Sequence, residues 1–185
     1  MKYKSKVLID NIAILYDRGG INAAIIIAPK GVYRNWSEKE IPIHMPDHVE
    51  KQIAVWNPSP NKKQKKELLD LFEVTPDLKI LIINVDAFST KKGVTFVEKF
   101  ILAHSVLIAV DESTTIKNPK AQRTKSLLKL AINTKYRRIL TGFPVTQSPL
   151  DLYSQSAFLS KQLLGYDSFY SFQNRYAKVF NRQMG

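Results

Sequence analysis

The chain has 185 residues, 44% of them apolar, enough for one domain with a sizeable core and too apolar for a disordered segment. It contains no cysteine, which excludes disulfides and thiolate metal sites and suits a reducing cytoplasm. Net charge is +12, from 28 basic and 16 acidic residues, and the longest wholly apolar run, Ala23 to Ala28, is far too short to span a membrane.

The amino end is basic, but Asp10 and Asn11 interrupt its apolar stretch, so it is a poor signal peptide and a cytoplasmic location is expected. Lys6 to Tyr16 has apolar residues at 8, 12 and 15, the spacing of a helix. Ala23 to Ala28 reads as a buried strand and Gln52 to Trp56 as a weaker one. Lys62 to Phe72 is a helix candidate whose opening lysines read as a solvated face. A strand over Lys79 to Val85, a helix over Val94 to Ala103 and a strand over Val106 to Val110 follow. Lys120 to Ile132 is the next helix, Arg138 to Thr141 the last strand, and Pro149 to Leu159 the last clear helix. Strands alternating with helices predict an α/β fold, a mostly parallel sheet covered on both faces. Beyond residue 160 the chain turns aromatic and polar (Tyr166, Phe169, Tyr170, Phe172, Tyr176, Phe180). This segment, 161–185, is expected to be a helical extension of the domain over 1–160; the start of something larger is the alternative.

The run Val106 to Val110 ends in adjacent carboxylates, Asp111 and Glu112. A buried parallel strand delivers such a pair to the carboxyl edge of a sheet, where α/β proteins place ligand chemistry. In nucleotide-hydrolysing folds the first carboxylate holds Mg²⁺ and the second orients or deprotonates the attacking water. Lys117 to Arg138 follows with eight basic residues and no acid (Lys117, Lys120, Arg123, Lys125, Lys129, Lys135, Arg137 and Arg138). Such a run beside the acidic pair favours phosphate contact. His44 and His48 have helical metal-ligand spacing, but Pro46 between them spoils a regular helix.

Three stretches together carry a likeness. They are Ile26-Ile-Ala-Pro-Lys-Gly-Val-Tyr-Arg-Asn-Trp, Val110-Asp-Glu-Ser-Thr-Thr-Ile-Lys-Asn-Pro and Arg138-Ile-Leu-Thr-Gly-Phe-Pro-Val-Thr-Gln-Ser-Pro-Leu-Asp-Leu-Tyr. In order and spacing they resemble the first RecA-like lobe of superfamily two helicase-like ATPases of the Swi/Snf type, with a phage or bacterial flavour in the tail. The resemblance implies a RecA-like, P-loop-type three-layer sandwich. It also implies Mg-ATP as cofactor and DNA, bound non-specifically through its backbone, as partner. Asp111 and Glu112 become the catalytic pair, with Asp111 holding Mg²⁺, and Lys4 and Ser5 the remnant of the nucleotide site. Lys30, Gly31, Lys117, Asn118, Lys120 and Arg123 are expected at the DNA, and Thr141 and Gly142 couple the two sites. Trp36 reads as a core aromatic at least as readily as a stacking residue.

The departures from the family pattern are as informative. Lys4-Ser5 stands where the family's Lys-Ser/Thr would be, but without the glycines that let backbone amides close around a phosphate. The strand that delivers that loop is missing, and so is the second lobe, which supplies an arginine finger. Phe143 replaces a small or hydroxyl residue after Thr-Gly, and Ser113-Thr114 replaces the commoner Ala/Ser-His. The expectation is a single motor lobe, cut close to its nucleotide loop, that does not hydrolyse ATP alone. A missing inner strand leaves its neighbours unpaired, which predicts a homodimer or a repacked amino end. The missing lobe or another protein would act in trans. The alternative is a non-catalytic DNA- or partner-binding module, or a truncation with no independent role.

Overall fold

The computed structural model of the chain describes residues 3–177. Its centre is a sheet of five parallel strands in the order β2-β3-β1-β4-β5. The strands are β1 (Ala23–Ala28), β2 (Lys51–Val55), β3 (Leu78–Asn84), β4 (Val106–Asp111) and β5 (Tyr136–Leu140). The inner strands β1, β3 and β4 consist of nearly uninterrupted Ile, Leu, Val and Ala and are buried on both faces, as a parallel sheet under helices requires. The edge strands β2 and β5 are half-buried and carry Lys51, Gln52, Arg137 and Arg138.

The α-helices among the described residues are α1 (Lys4–Asp17), α2 (Tyr33–Asn35), α3 (Ile41–His44), α4 (Lys62–Asp70), α5 (Lys91–Ala103), α6 (Gln122–Ala131), α7 (Asp151–Leu159) and α8 (Phe169–Tyr176). A π-helical turn, Trp36–Glu40, joins α2 to α3. Alternate side chains of each strand feed opposite cores. Ala24, Ile26, Ile80, Ile82, Leu107 and Ala109 meet Leu8, Ile9 and Ile12 of α1 together with Trp36 and Ile41. Ile25, Ile27, Leu81, Ile83, Ile108 and Val110 meet Leu68 of α4, Phe100 of α5, Leu127 of α6 and Phe158 of α7. The result is the expected three-layer α/β sandwich with a RecA-like sheet.

Helix boundaries follow local chemistry. Asn61 and Gln64 form a reciprocal capping box on α4, and the Thr90 hydroxyl accepts from the Gly93 amide at the start of α5. Gly19, at φ +65°, ends α1 in the left-handed conformation that glycine adopts without strain. Two features stand apart from the sequence reading. The helical run over 33–44 has no periodic signature in the sequence; it forms because Trp36 and Ile41 reach the core beside α1. The sheet also has no interior gap. β5 pairs only with β4, so its outer side is an open edge beside α1.

The aromatic tail forms α8, where Phe172 packs on Tyr153 of α7, Tyr166 and Tyr176. Phe180 lies outside the described residues. Among the described residues no helix is long and apolar enough to cross a membrane.

Candidate nucleotide and nucleic-acid edge

The three motif stretches quoted above reach one edge of the sheet, because all five strands are parallel and each stretch runs past the end of a strand. The chain leaves β1 for β2 and β3 on one side and returns to β4 and β5 on the other. The crevice between the ends of β1 and β4 is therefore the topological switch point, the usual ligand position in such sheets.

The acidic pair occupies that crevice. The Trp36 indole N–H donates to Asp111 Oδ2 at 3.1 Å, and the Glu112 amide donates to Asp111 Oδ1 at 3.0 Å. Burial pushes the Asp111 carboxyl above the ordinary carboxylate range. The Trp36 hydrogen bond opposes that rise, the Glu112 charge adds to it, and Lys4 opposes it. Glu112 is left-handed (φ 49°), a conformation that costs a non-glycine residue about 1–2 kcal/mol. Its carboxylate meets Lys4 Nζ at 2.8 Å, across 108 residues of sequence. The residue proposed for the phosphate and the residue proposed for the water are thus in direct contact. Ser5 follows Lys4 in the first turn of α1 and is half-buried.

The loop after the pair is held from α7. The buried Ser113 hydroxyl donates to Gln155 Oε1 at 2.6 Å, and Gln155 Nε2 donates to the Pro144 carbonyl at 2.7 Å. Gln155 therefore ties the acidic loop to the segment after Thr141-Gly142. Asp151 Oδ2 accepts from the Thr146 amide (2.9 Å), the Thr146 hydroxyl (2.8 Å) and the Gln147 amide (2.9 Å). Partial burial works upward on this carboxyl, but these hydrogen bonds, aided by Lys117, hold it down at about 2. Thr141 Oγ1 accepts from the Phe143 amide, and Phe143 is exposed.

The basic residues do not form one surface. Lys117 Nζ donates to Thr146 Oγ1 at 2.6 Å and lies 3.6 Å from Asp151. Arg123 pairs with Asp86 at 3.1 Å and donates to the Thr115 carbonyl. Arg137 and Arg138 turn to Phe158 O and to Asn11 Oδ1. Sequence proximity scattered these side chains along α6 and β5, where acids and carbonyls from elsewhere meet them. Asn118 and Lys120 stay exposed, with the Asn118 side chain accepting from the Lys120 amide. Lys30 and Gly31 are exposed after β1, and open space surrounds the Gly31 Cα. Lys30 shares a cleft of about 360 Å³ with Tyr33, Arg34, Asn57, Asn84 and Asp86. Gln155 carries no motif signature, and Arg34 and Asp151 lie inside the quoted stretches without having been given a role there. Trp36's tie to Asp111 exists only once β1 and β4 are neighbours.

The residues present fit half of a Mg-nucleotide. A Mg²⁺ on a polyphosphate keeps mostly water and phosphate ligands, so one carboxylate such as Asp111 suffices. Among the described residues no cluster of three or more His, Cys, Asp or Glu side chains could hold a metal by itself. Among the described residues no glycine turn precedes α1 to cradle a polyphosphate, and Lys4 is paired with Glu112.

None of the curated proteins matches the sequence. Among solved structures, the fold is similar to the Sulfolobus solfataricus SWI2/SNF2 ATPase core in complex with dsDNA, with a TM-score of 0.69 and 25% identity. The match covers 95% of this chain and 32% of that one, so the chain spans about a third of that protein. The SNF2-related domain profile matches residues 6–184. With its motifs on one sheet edge and that match running almost end to end, the chain belongs to the SNF2-related domain family.

Proposed function

We propose that the chain is the amino-terminal lobe of a Swi/Snf-like, DNA-dependent ATPase, and that it contributes Asp111, Glu112, Lys4 and Ser5 to an ATP site completed from outside these 185 residues. The observation that carries this reading is the 2.8 Å contact between Lys4 and Glu112, which joins the start of α1 to the acidic pair at the switch point. The phosphate cradle and the arginine finger come from further segments or from another protein in trans. Residues 161–185 extend the same domain.

DNA is the proposed partner, as it is for the Sulfolobus ATPase core. Lys30 and Gly31, with Arg34, supply the backbone contacts after β1, and Asn118 and Lys120 those beside the acidic pair. Lys117 and Arg123 position this edge through Asp151 and Asp86. Thr141 and Gly142 couple the two sites through the segment that Gln155 holds. The open edge of β5, with the exposed Val7 and the half-buried Asn11 of α1 beside it, accepts a strand from a second copy or from a segment outside these residues. A concentration-independent monomer mass would argue against the second copy.

The test is calorimetry of the purified chain with Mg-ATP, repeated with duplex DNA. The expected result is salt-sensitive DNA binding with no nucleotide binding by the chain alone. Micromolar nucleotide binding would overturn the assignment of the phosphate cradle to an outside segment. Absence of DNA binding at low salt would overturn the nucleic-acid assignment and favour a lobe that acts only through a protein partner.

A further inference from the structure

A groove of about 590 Å³ lies away from the acidic pair, between α4 and α5. Its lining is almost wholly apolar at the floor. Trp56 and Phe96 form a tilted ring pair with centroids 4.8 Å apart, and Leu68 and Leu69 close the α4 side. Leu69, on the α4 side, is 58% exposed and so reachable from solvent.

The rim is cationic. Lys65 stands on α4, and Lys91, Lys92 and Lys99 stand on α5 at positions that helical spacing brings to one face with Thr95 and Phe96. No Asp or Glu lines the groove, and none of the four lysines forms an ion pair among the described residues. Lys92 donates to the Pro58 carbonyl, which fixes the ammonium at the rim without neutralising it. Glu67 of α4 pairs with Lys63 and lines a neighbouring cleft.

The geometry points to a docking site for an acidic amphipathic helix of a protein partner, with Leu or Phe anchors in the groove and Asp or Glu on both flanks. Charge complementarity selects the acid flanks, and the apolar floor selects the anchors. The 13 residues of α5 run about 20 Å, which matches three to four turns of a partner helix. Single-stranded nucleic acid suits the groove less well. Bases need an exposed aromatic face to stack on, and Trp56 is only 4% exposed. The groove adjoins the Lys30 cleft, with which it shares Trp56 and Asn57, but its occupant does not depend on the ATP or DNA assignments above.

The test uses the whole chain and a fluorescein-labelled peptide of about 18 residues, with Leu and Phe on one helical face and Glu on the flanks. Anisotropy should report saturable binding that weakens with salt. Leu69→Glu, at an exposed position that tolerates a charge, should weaken it at least about tenfold, and so should the combined reversal K65E, K91E and K99E. The same reversal at Lys125 and Lys129 of α6 should leave affinity unchanged, and each variant's circular dichroism checks its folding. Absence of binding by the peptide would overturn the assignment. So would equal binding of a control peptide that keeps the Glu residues but has Ser in place of Leu and Phe. Failure of the peptide together with oligodeoxynucleotide binding that Leu69→Glu removes would reassign the groove to nucleic acid.

Discussion

Replacing Asp151 with asparagine tests the clamp behind the acidic loop. The wild-type carboxylate receives three hydrogen bonds from Thr146 and Gln147, has Lys117 at 3.6 Å, and is only 11% exposed. Its folded-state pKa is about 2, against an ordinary 3.8. A carboxyl depressed in the folded state adds stability above its unfolded pKa and loses it as pH falls through the folded pKa. Here the contribution is about 2 kcal/mol at neutral pH, about half of that near pH 3, and nothing well below pH 2. Asp151→Asn keeps the shape and one acceptor but removes the charge. Urea unfolding of both proteins, followed by circular dichroism near pH 7, 5 and 3, should show the difference fully at the first two and roughly halved at the last. A gap of the same size at every pH would refute the charge argument and leave only lost shape. A gap near zero at pH 7 would refute the clamp.

Asp111 should behave in the opposite sense. Burial raises its pKa in the folded state, so its ionised form costs stability above that pKa and nothing below the unfolded one. Asp111→Asn should therefore stabilise the isolated chain at neutral pH, with the gain fading as the solution is acidified; a loss of stability would contradict the direction of the shift. Gly93→Ala should destabilise by about 1–3 kcal/mol in the same unfolding assay, because its Cβ would sit 2.4 Å from the Ala87 carbonyl oxygen, which is backbone and cannot yield. Lys30→Ala and Lys120→Ala should each weaken DNA binding and lower the salt slope by about 1. Lys117→Ala should instead lower stability through Asp151, and an equal salt-slope effect from Lys117 would return it to the DNA surface.

Sequence alone was enough to identify the parallel sheet. Only strands buried on both faces read as Ala-Ala-Ile-Ile-Ile-Ala or Val-Leu-Ile-Ala-Val, so β1, β3 and β4 stand out, and strand-end carboxylates point to one edge. The edge strands were harder to read because they are half-solvated: β5 begins at Tyr136 rather than Arg138, and β2 carries Lys51 and Gln52. The run over 33–44 was illegible for a different reason. Its helical form depends on Trp36 and Ile41 finding α1 and the sheet, a long-range packing event rather than a local propensity. The same holds for the site. Residue types pointed to Asp111 and Glu112 and the family resemblance to Lys4, but strand order brought Lys4 to Glu112 and Trp36 to Asp111, across 108 and 75 residues. Tertiary structure also decided which charges stay available. Arg123 pairs with Asp86 and Lys117 with Asp151, and Lys65, Lys91, Lys92 and Lys99, unremarkable in sequence, converge around one apolar groove. A side chain's type is a local property, whereas its partners depend on which elements the sheet makes neighbours.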